Sequence, residues 1–196
     1  MNTLPPNFEL YKYGLNVRFV TEEDAEFILQ LRTDERLGRY INHTENNIET
    51  QRHWIQKYKY LESNGKEYYF IFETQMKNPL GVYRLYEISD ESFTSGSWIF
   101  LPNAPLGASI LAFIIAREIA WEITPGAKNY FDIKKNNSSV LQFTSKFHPK
   151  VIKETEDTLY FENTREDFEK NKNEILKIFS NRMEKLCALY DSKLQK

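Results

Sequence analysis

The stretch Ser92–Ser109, SFTSGSWIFLPNAPLGAS, decides how the rest of the chain is read. Ser92 to Leu101 reads as a strand, interrupted at Gly96, where a bulge or a close backbone approach is expected. Asn103 to Ser109 is a glycine-containing loop that feeds ILAFIIAREIAWEI, Ile110 to Ile123, a helix too apolar to face water on any side. The start of such a helix leaves backbone N–H groups free at the positive end of its dipole. Gly107 is where an anion can approach that backbone without meeting a side chain, although a single glycine before a helix is also an ordinary turn. A bulge at Gly96 would splay the strand from a parallel neighbour and expose unpaired backbone from Trp98 to Leu101. An extended, amide-containing ligand satisfies such groups as if it were another strand.

Working outward, Asn16 to Val20 reads as a strand, and Thr21 with Asp24 opens a helix whose Ala25, Ile28 and Leu29 face inward. Asn47 is the N-cap of a second helix carrying Trp54, Ile55, Tyr58 and Leu61 at helical spacing, closed by Asn64 and Gly65. Glu67 to Glu73 and Leu80 to Ile88 join Ser92 to Leu101 in an antiparallel meander. Beyond the apolar helix, Tyr130 to Ile133 supplies a strand reached by a parallel crossover. A helix from Ser139 to Phe147 and short strands over Val151–Glu156 and Thr158–Glu162 follow. Thr164 and Asp167 cap a last helix of about thirty residues, with Phe168, Ile175, Phe179, Leu186 and Tyr190 on one side. The fold class is α/β (α+β): a mixed, mostly antiparallel central sheet with splayed central strands, flanked by helices, plus a long C-terminal helix. Residues 1–15 are expected to be irregular and 16–162 to form one domain. The helix of 163–196 packs on that domain or on a partner subunit, with a homodimer as one outcome.

With 41% hydrophobic and 28% charged residues among 196 and a net charge of −2, the composition is that of an ordinary globular chain without a uniformly basic face. Nucleic acid is therefore not expected as a partner. The start MNTLPPNFEL resembles no export signal, and the run Ile110 to Ala116 stops at Arg117, so a cytoplasmic chain without a membrane span is expected. Cys187 is the single cysteine and reads as a packed thiol. His43, His53 and His148 are scattered without ligand-spaced companions, so no metal is expected.

An extended amide arm and a diphosphate occur together in coenzyme A. The order of elements, SWIFLPNAPLGAS and FDIKKNNSSVLQFTSKF together resemble the GNAT superfamily of N-acyltransferases, in particular the branch of ribosomal-protein and amino-sugar N-acetyltransferases. The resemblance covers about Asn16 to Glu162. It implies acetyl-CoA as acyl donor, held by Ile99, Phe100 and Leu101 along its arm and by Leu106, Gly107, Ala108 and Ser109 at its pyrophosphate. The family's loop has Gln or Arg first and Gly or Ala last, where this chain has Ala104 and Ser109. Asn137 takes the place of a cofactor-touching Asn, and is equally suited to capping the next helix. Many members carry a Tyr seven residues later that protonates the departing thiolate; Thr144 stands there.

Transfer of acetyl to an amine needs a neutral amine, a polarised carbonyl and a place for the lost proton. Backbone N–H groups near Ile99 and Phe100 are the expected polarisers. Asp132 is the expected base, because a carboxylate within Tyr130-Phe131-Asp132-Ile133 is costly to enclose unless partnered or used; it is otherwise a partner of Lys128, Lys134 or Lys135. Glu87 and Glu91 are the fallback carboxylates. Ser97 holds a water between amine and carboxylate or is a plain surface hydroxyl. Tyr40 and His43 lie where relatives bind the acceptor. The expected activity is acetyl transfer to a primary amine of a small molecule such as a nucleotide-linked amino sugar. The alternatives are the N-terminal amine of a peptide or protein, or a catalytically inactive binding or assembly protein.

Overall fold

The computed structural model describes residues 2–195. Eight strands form one sheet: β1 (Glu9–Lys12), β2 (Leu15–Phe19), β3 (Tyr68–Glu73), β4 (Pro79–Tyr86), β5 (Ser92–Phe100), β6 (Lys128–Lys134), β7 (Lys150–Glu154) and β8 (Thr158–Asn163). Their order is β1-β2-β3-β4-β5-β6-β8-β7, and β5–β6 is the parallel pair among antiparallel neighbours. Helices α1 (Ala25–Thr33) and α2 (Ile48–Ser63) cover one face. The other face carries α3 (Ala108–Ile123), α4 (Ser138–Thr144) and α5 (Arg165–Leu194).

The two faces follow from alternation along each strand. Tyr69 and Ile71 of β3, with Val82 and Ile99, pack against Ile28 and Leu31 of α1 and Ile55 and Tyr58 of α2. Phe70 and Phe72, with Tyr83 and Phe93, meet α3, which is buried almost all round. Asn47 caps α2 as expected, its side chain accepting from the N–H groups of Glu49 and Thr50.

Part of the segment expected to be irregular is a strand. Glu9–Lys12 pairs with β2 through a turn at Tyr13 and Gly14, whose φ angles are 52° and 81°. Four edge residues are too few to carry a periodic signal. The turn is fixed from afar, since a Cβ on Gly14 would lie 2.8 Å from the backbone nitrogen of Glu184 on α5.

Helix α5 packs on its own chain. Phe168, Ile175, Met183 and Cys187 enter the core shared with α3, and the Phe168 and Trp121 rings are 5.0 Å apart. At its far end Asp191 accepts hydrogen bonds from Thr74 (2.8 Å) and Asn78 (2.7 Å). Cys187 is the expected packed thiol, 1% exposed, and burial pushes its pKa up to about 12. Among the described residues no helix is long and apolar enough to cross a membrane.

The feature that positions the site is a fork in the sheet. β5 and β6 pair only over Ser92–Thr94 and Lys128–Tyr130, and then part. The register of β4 on β5 shifts between Val82 and Arg84, so Ser97 and Trp98 share the place opposite Tyr83. The bulge thus falls one residue after Gly96, on Ser97, with φ 47°. Gly96 itself backs onto the Tyr86 ring, 3.4 Å from where a Cβ would stand.

Candidate functional site

The fork opens into a cleft of about 600 Å³ that passes through the sheet. Ser95, Ser97, Trp98, Ile99 and Phe100 of β5 form one wall, and Phe131, Asp132 and Ile133 of β6 with Asn137 form the other. Tyr83, Phe113, Arg117 and Thr144 close it towards α3 and α4, while Arg32, Arg36, Tyr40 and Tyr86 line it on the α1 side.

Asp132 stands on the β6 wall. The lysines that could neutralise it are engaged elsewhere: Lys128 with Glu162 (3.0 Å), Lys134 with Asp157 (2.7 Å) and Lys135 with Glu154 (2.7 Å). Among the described residues its carboxylate makes no ion pair and no hydrogen bond to another side chain. The side chain is exposed rather than enclosed, opening to solvent through the cleft, and the partial desolvation by the cleft walls raises its pKa above the ordinary aspartate value, an effect that the charge of Lys134 offsets in part. Tyr86 lies close enough for the Asp132 charge to add to the rise that burial gives the phenol.

The β5 wall offers backbone groups. Leu101 donates its N–H to Leu80 of β4 at 2.8 Å. Alternation therefore turns the N–H of Phe100 towards the fork and that of Ile99 towards β4. Past the end of β5, Ala108 donates its N–H to the Pro105 carbonyl and Leu111 to that of Gly107, both at 2.9 Å, while the N–H groups of Ser109 and Ile110 between them take no backbone acceptor. Gly107 occupies the N-cap of α3 with φ 91°. Its free side faces α5, because a Cβ there would stand 2.3 Å from the Phe179 ring. Leu106 is 78% exposed, Ala108 is buried, and Ser109 accepts a hydrogen bond on its carbonyl from the Trp98 indole (3.0 Å). This loop lies beyond the cleft lining.

A buried polar cluster at the base of the fork escaped the sequence reading. Arg117, 2% exposed, donates to the Tyr83 hydroxyl and to Ser95 (3.2 Å), and Asn129 also donates to Ser95 (3.0 Å). Among the described residues no carboxylate pairs with Arg117; its guanidinium lies 3.4 Å from the Phe113 ring centre, and burial lowers its pKa. The signal available was an arginine directly after the apolar run Ile110–Ala116, followed by Glu118, which resembles the end of a run. Thr144 lines the cleft but returns its proton to the helix, donating to the Val140 carbonyl at 2.8 Å.

The remaining expected residues divide. Tyr40 lines the cleft and donates its hydroxyl to the Asn136 carbonyl (3.1 Å), bridging to the β6–α4 turn. Ser97 lines it too, accepting weakly from Arg32 (3.4 Å). Asn137 lines it and holds no helix N–H with its side chain. His43 lies in an adjoining side pocket. Glu87 is outside the lining and accepts a hydrogen bond from Thr94 (2.7 Å) near the β4–β5 turn; Glu91 is exposed, also outside. Among the described residues no group of three His, Cys, Asp or Glu side chains could hold a metal.

A sheet forked between its parallel strands, with free amides on one wall and an unpaired carboxylate on the other, defines an acyl-transfer fold. The family model for the acetyltransferase (GNAT) domain matches residues 15–148, and the chain belongs to this family. It is similar in structure to apo FdhC, a nucleotide-linked sugar GNAT: 32% identity, 88% of this chain and 99% of that one, TM-score 0.76. The ribosomal-protein-S5-alanine acetyltransferase of Vibrio fischeri shares the fold at 11% identity, covering 83% and 99%, TM-score 0.69. So do mutant forms of the spermidine/spermine N-acetyltransferase SpeG of Vibrio cholerae at 15% identity, covering 82% and 99%, TM-score 0.63. No curated protein matches the chain in sequence.

Proposed function

We propose that this acetyltransferase takes its acyl group from acetyl-CoA and delivers it to a primary amine of a small molecule such as a nucleotide-linked amino sugar. The observation that carries the reading is Asp132: a carboxylate on the wall of the fork whose three neighbouring lysines are all paired elsewhere. The likeness to a nucleotide-linked sugar GNAT at 32% identity supports the choice of acceptor.

In this reading the pantetheine arm runs between β5 and β6 as an added strand, with the Phe100 N–H directed at one of its carbonyls. The pyrophosphate meets the unbonded N–H groups of Ser109 and Ile110 at the positive end of α3. Asp132, directly or through a water held by Ser97, takes a proton from the amine as it attacks the thioester carbonyl. Collapse of the tetrahedral intermediate breaks the carbon–sulfur bond. Thr144 has committed its proton, so Tyr83 gives its own to the sulfur; the Arg117 N–H donated to the Tyr83 oxygen stabilises the phenolate until solvent reprotonates it.

Calorimetric titration with acetyl-CoA, followed by thiol release across amino sugars, nucleotide-linked amino sugars, polyamines and peptides, tests the reading. Saturable binding with release on a small amine is expected. Binding without release on any amine would make the chain a binding protein, and absence of binding would remove the reading altogether.

A further inference from the structure

On the α1–α2 side the cleft continues into a side pocket of about 310 Å³, and Arg32, Asn42, Arg84 and Ser97 border both spaces. The floor of this pocket is Tyr69, 1% exposed, whose hydroxyl lies beside the Arg32 guanidinium and finds no acceptor for its proton among the described residues. The neighbouring Arg32 works against the pKa rise that burial gives this phenol. A guanidinium carries only donors, however, so among the described residues nothing accepts the Tyr69 proton.

Arg32 is in a similar position. It is half-buried, bonds well only to Thr44 (2.6 Å), and makes longer contacts to Ser97 (3.4 Å) and the Asn42 carbonyl (3.3 Å). Among the described residues no carboxylate pairs with it, whereas Arg84 beside it is held by Glu67 at 2.5 and 2.8 Å. Asp132 is the acidic residue in the lining of the larger cleft, and Glu45, at the rim of the side pocket, is exposed. The site thus has an unpaired anion on the β6 wall and an unpaired cation, with a buried idle donor next to it, across Ser97.

We infer that the Arg32–Tyr69 pocket is an oxyanion subsite of the acceptor site: the molecule that presents its amine to Asp132 carries a phosphoryl or carboxylate group, which the Arg32 guanidinium and the Tyr69 hydroxyl hold together. Charge-assisted donation to an oxyanion supplies what both groups lack. A polyamine, cationic at both ends, meets Arg32 with like charge and is refused. This inference rests on the acceptor lying at Asp132; it deepens that reading by fixing the charge of the substrate's other end.

The test is calorimetric titration at constant ionic strength, with coenzyme A saturating so that its own phosphate site is filled. The probes are inorganic pyrophosphate, uridine diphosphate, succinate and spermidine, on the wild type, Arg32→Gln and Tyr69→Phe. Wild type is expected to bind at least one oxyanion and not spermidine; pyrophosphate and uridine diphosphate against succinate separate a phosphoryl from a carboxylate group. Arg32→Gln should weaken the bound oxyanion about tenfold or more and Tyr69→Phe about fivefold, with coenzyme A affinity unchanged. Because Tyr69→Phe deletes a buried hydroxyl whose proton has no acceptor, thermal unfolding of the unliganded variant should occur no lower than that of the wild type, which keeps the test open should Arg32→Gln fold poorly. No oxyanion binding to the wild type, unchanged affinity in Tyr69→Phe, or preference for spermidine would overturn the subsite. Loss of coenzyme A binding with oxyanion binding intact would instead strike the acyl-transfer reading and leave the subsite standing.

Discussion

Asp132 combines a raised pKa with an empty set of ion-pair partners, and the two properties have opposite consequences for stability and activity. Its folded-state pKa lies above the ordinary aspartate value, so the ionised form penalises the fold at neutral pH. The penalty fades as pH falls through the folded pKa and is gone below the unfolded one. Asp132→Asn should therefore melt at or above the wild-type temperature at neutral pH, with the difference closing in acid. Its turnover should fall about 10²- to 10⁴-fold, and the acid limb of the pH–rate profile should disappear. A variant that keeps full turnover with an unchanged profile would remove Asp132 as base. Tyr83→Phe has a different signature: kcat should fall about tenfold or more with acetyl-CoA affinity retained, and an acetyl thioester of a more acidic thiol should recover most of the loss. No recovery would reduce Tyr83 to a packing role. The sequence exposed Asp132 because a carboxylate in a short apolar strand is conspicuous. It could not show that the neighbouring lysines are engaged, since Glu154, Asp157 and Glu162 are brought alongside only by β7, β8 and the turn between them. Arg117 went unseen for the same reason: its partners Tyr83 and Ser95 are on other elements.

At the scale of elements, the turn into α3 was legible and its reason was not. Gly107 reads in sequence as room for a phosphate, but its φ of 91° and the Phe179 ring 2.3 Å from a would-be Cβ make it the seat of α5 on α3. Gly107→Ala should lower stability by about 2–4 kcal/mol, from the left-handed backbone and the overpacking together. Combining it with Phe179→Ala should recover about 1 kcal/mol or more relative to the sum of the single changes, measured by urea unfolding. Additive effects would show that the two residues do not press on each other. Strand β1 was missed because four edge residues carry no period of their own. The meander and the parallel crossover were readable, because their turn residues and apolar runs are local.

For the whole molecule, α5 closes the core over α3, and Cys187, whose thiol meets the Gly14 carbonyl, reports on that closure. The thiol is 1% exposed, and burial pushes its pKa up to about 12. A disulfide reagent should leave the native chain unlabelled, and labelling across a urea series should follow the loss of circular dichroism. Rapid labelling without denaturant would mean that α5 lifts from the domain.

The central claim is that β5 and β6 part so that a thioester arm can complete the sheet between them. Amide hydrogen exchange of Phe100 with and without saturating acetyl-CoA measures this most directly, with Leu101 as internal control because its N–H is already bonded to Leu80. Acetyl-CoA is expected to slow exchange at Phe100 and to leave Leu101 nearly unchanged. An unchanged Phe100 amide in the saturated complex would contradict it.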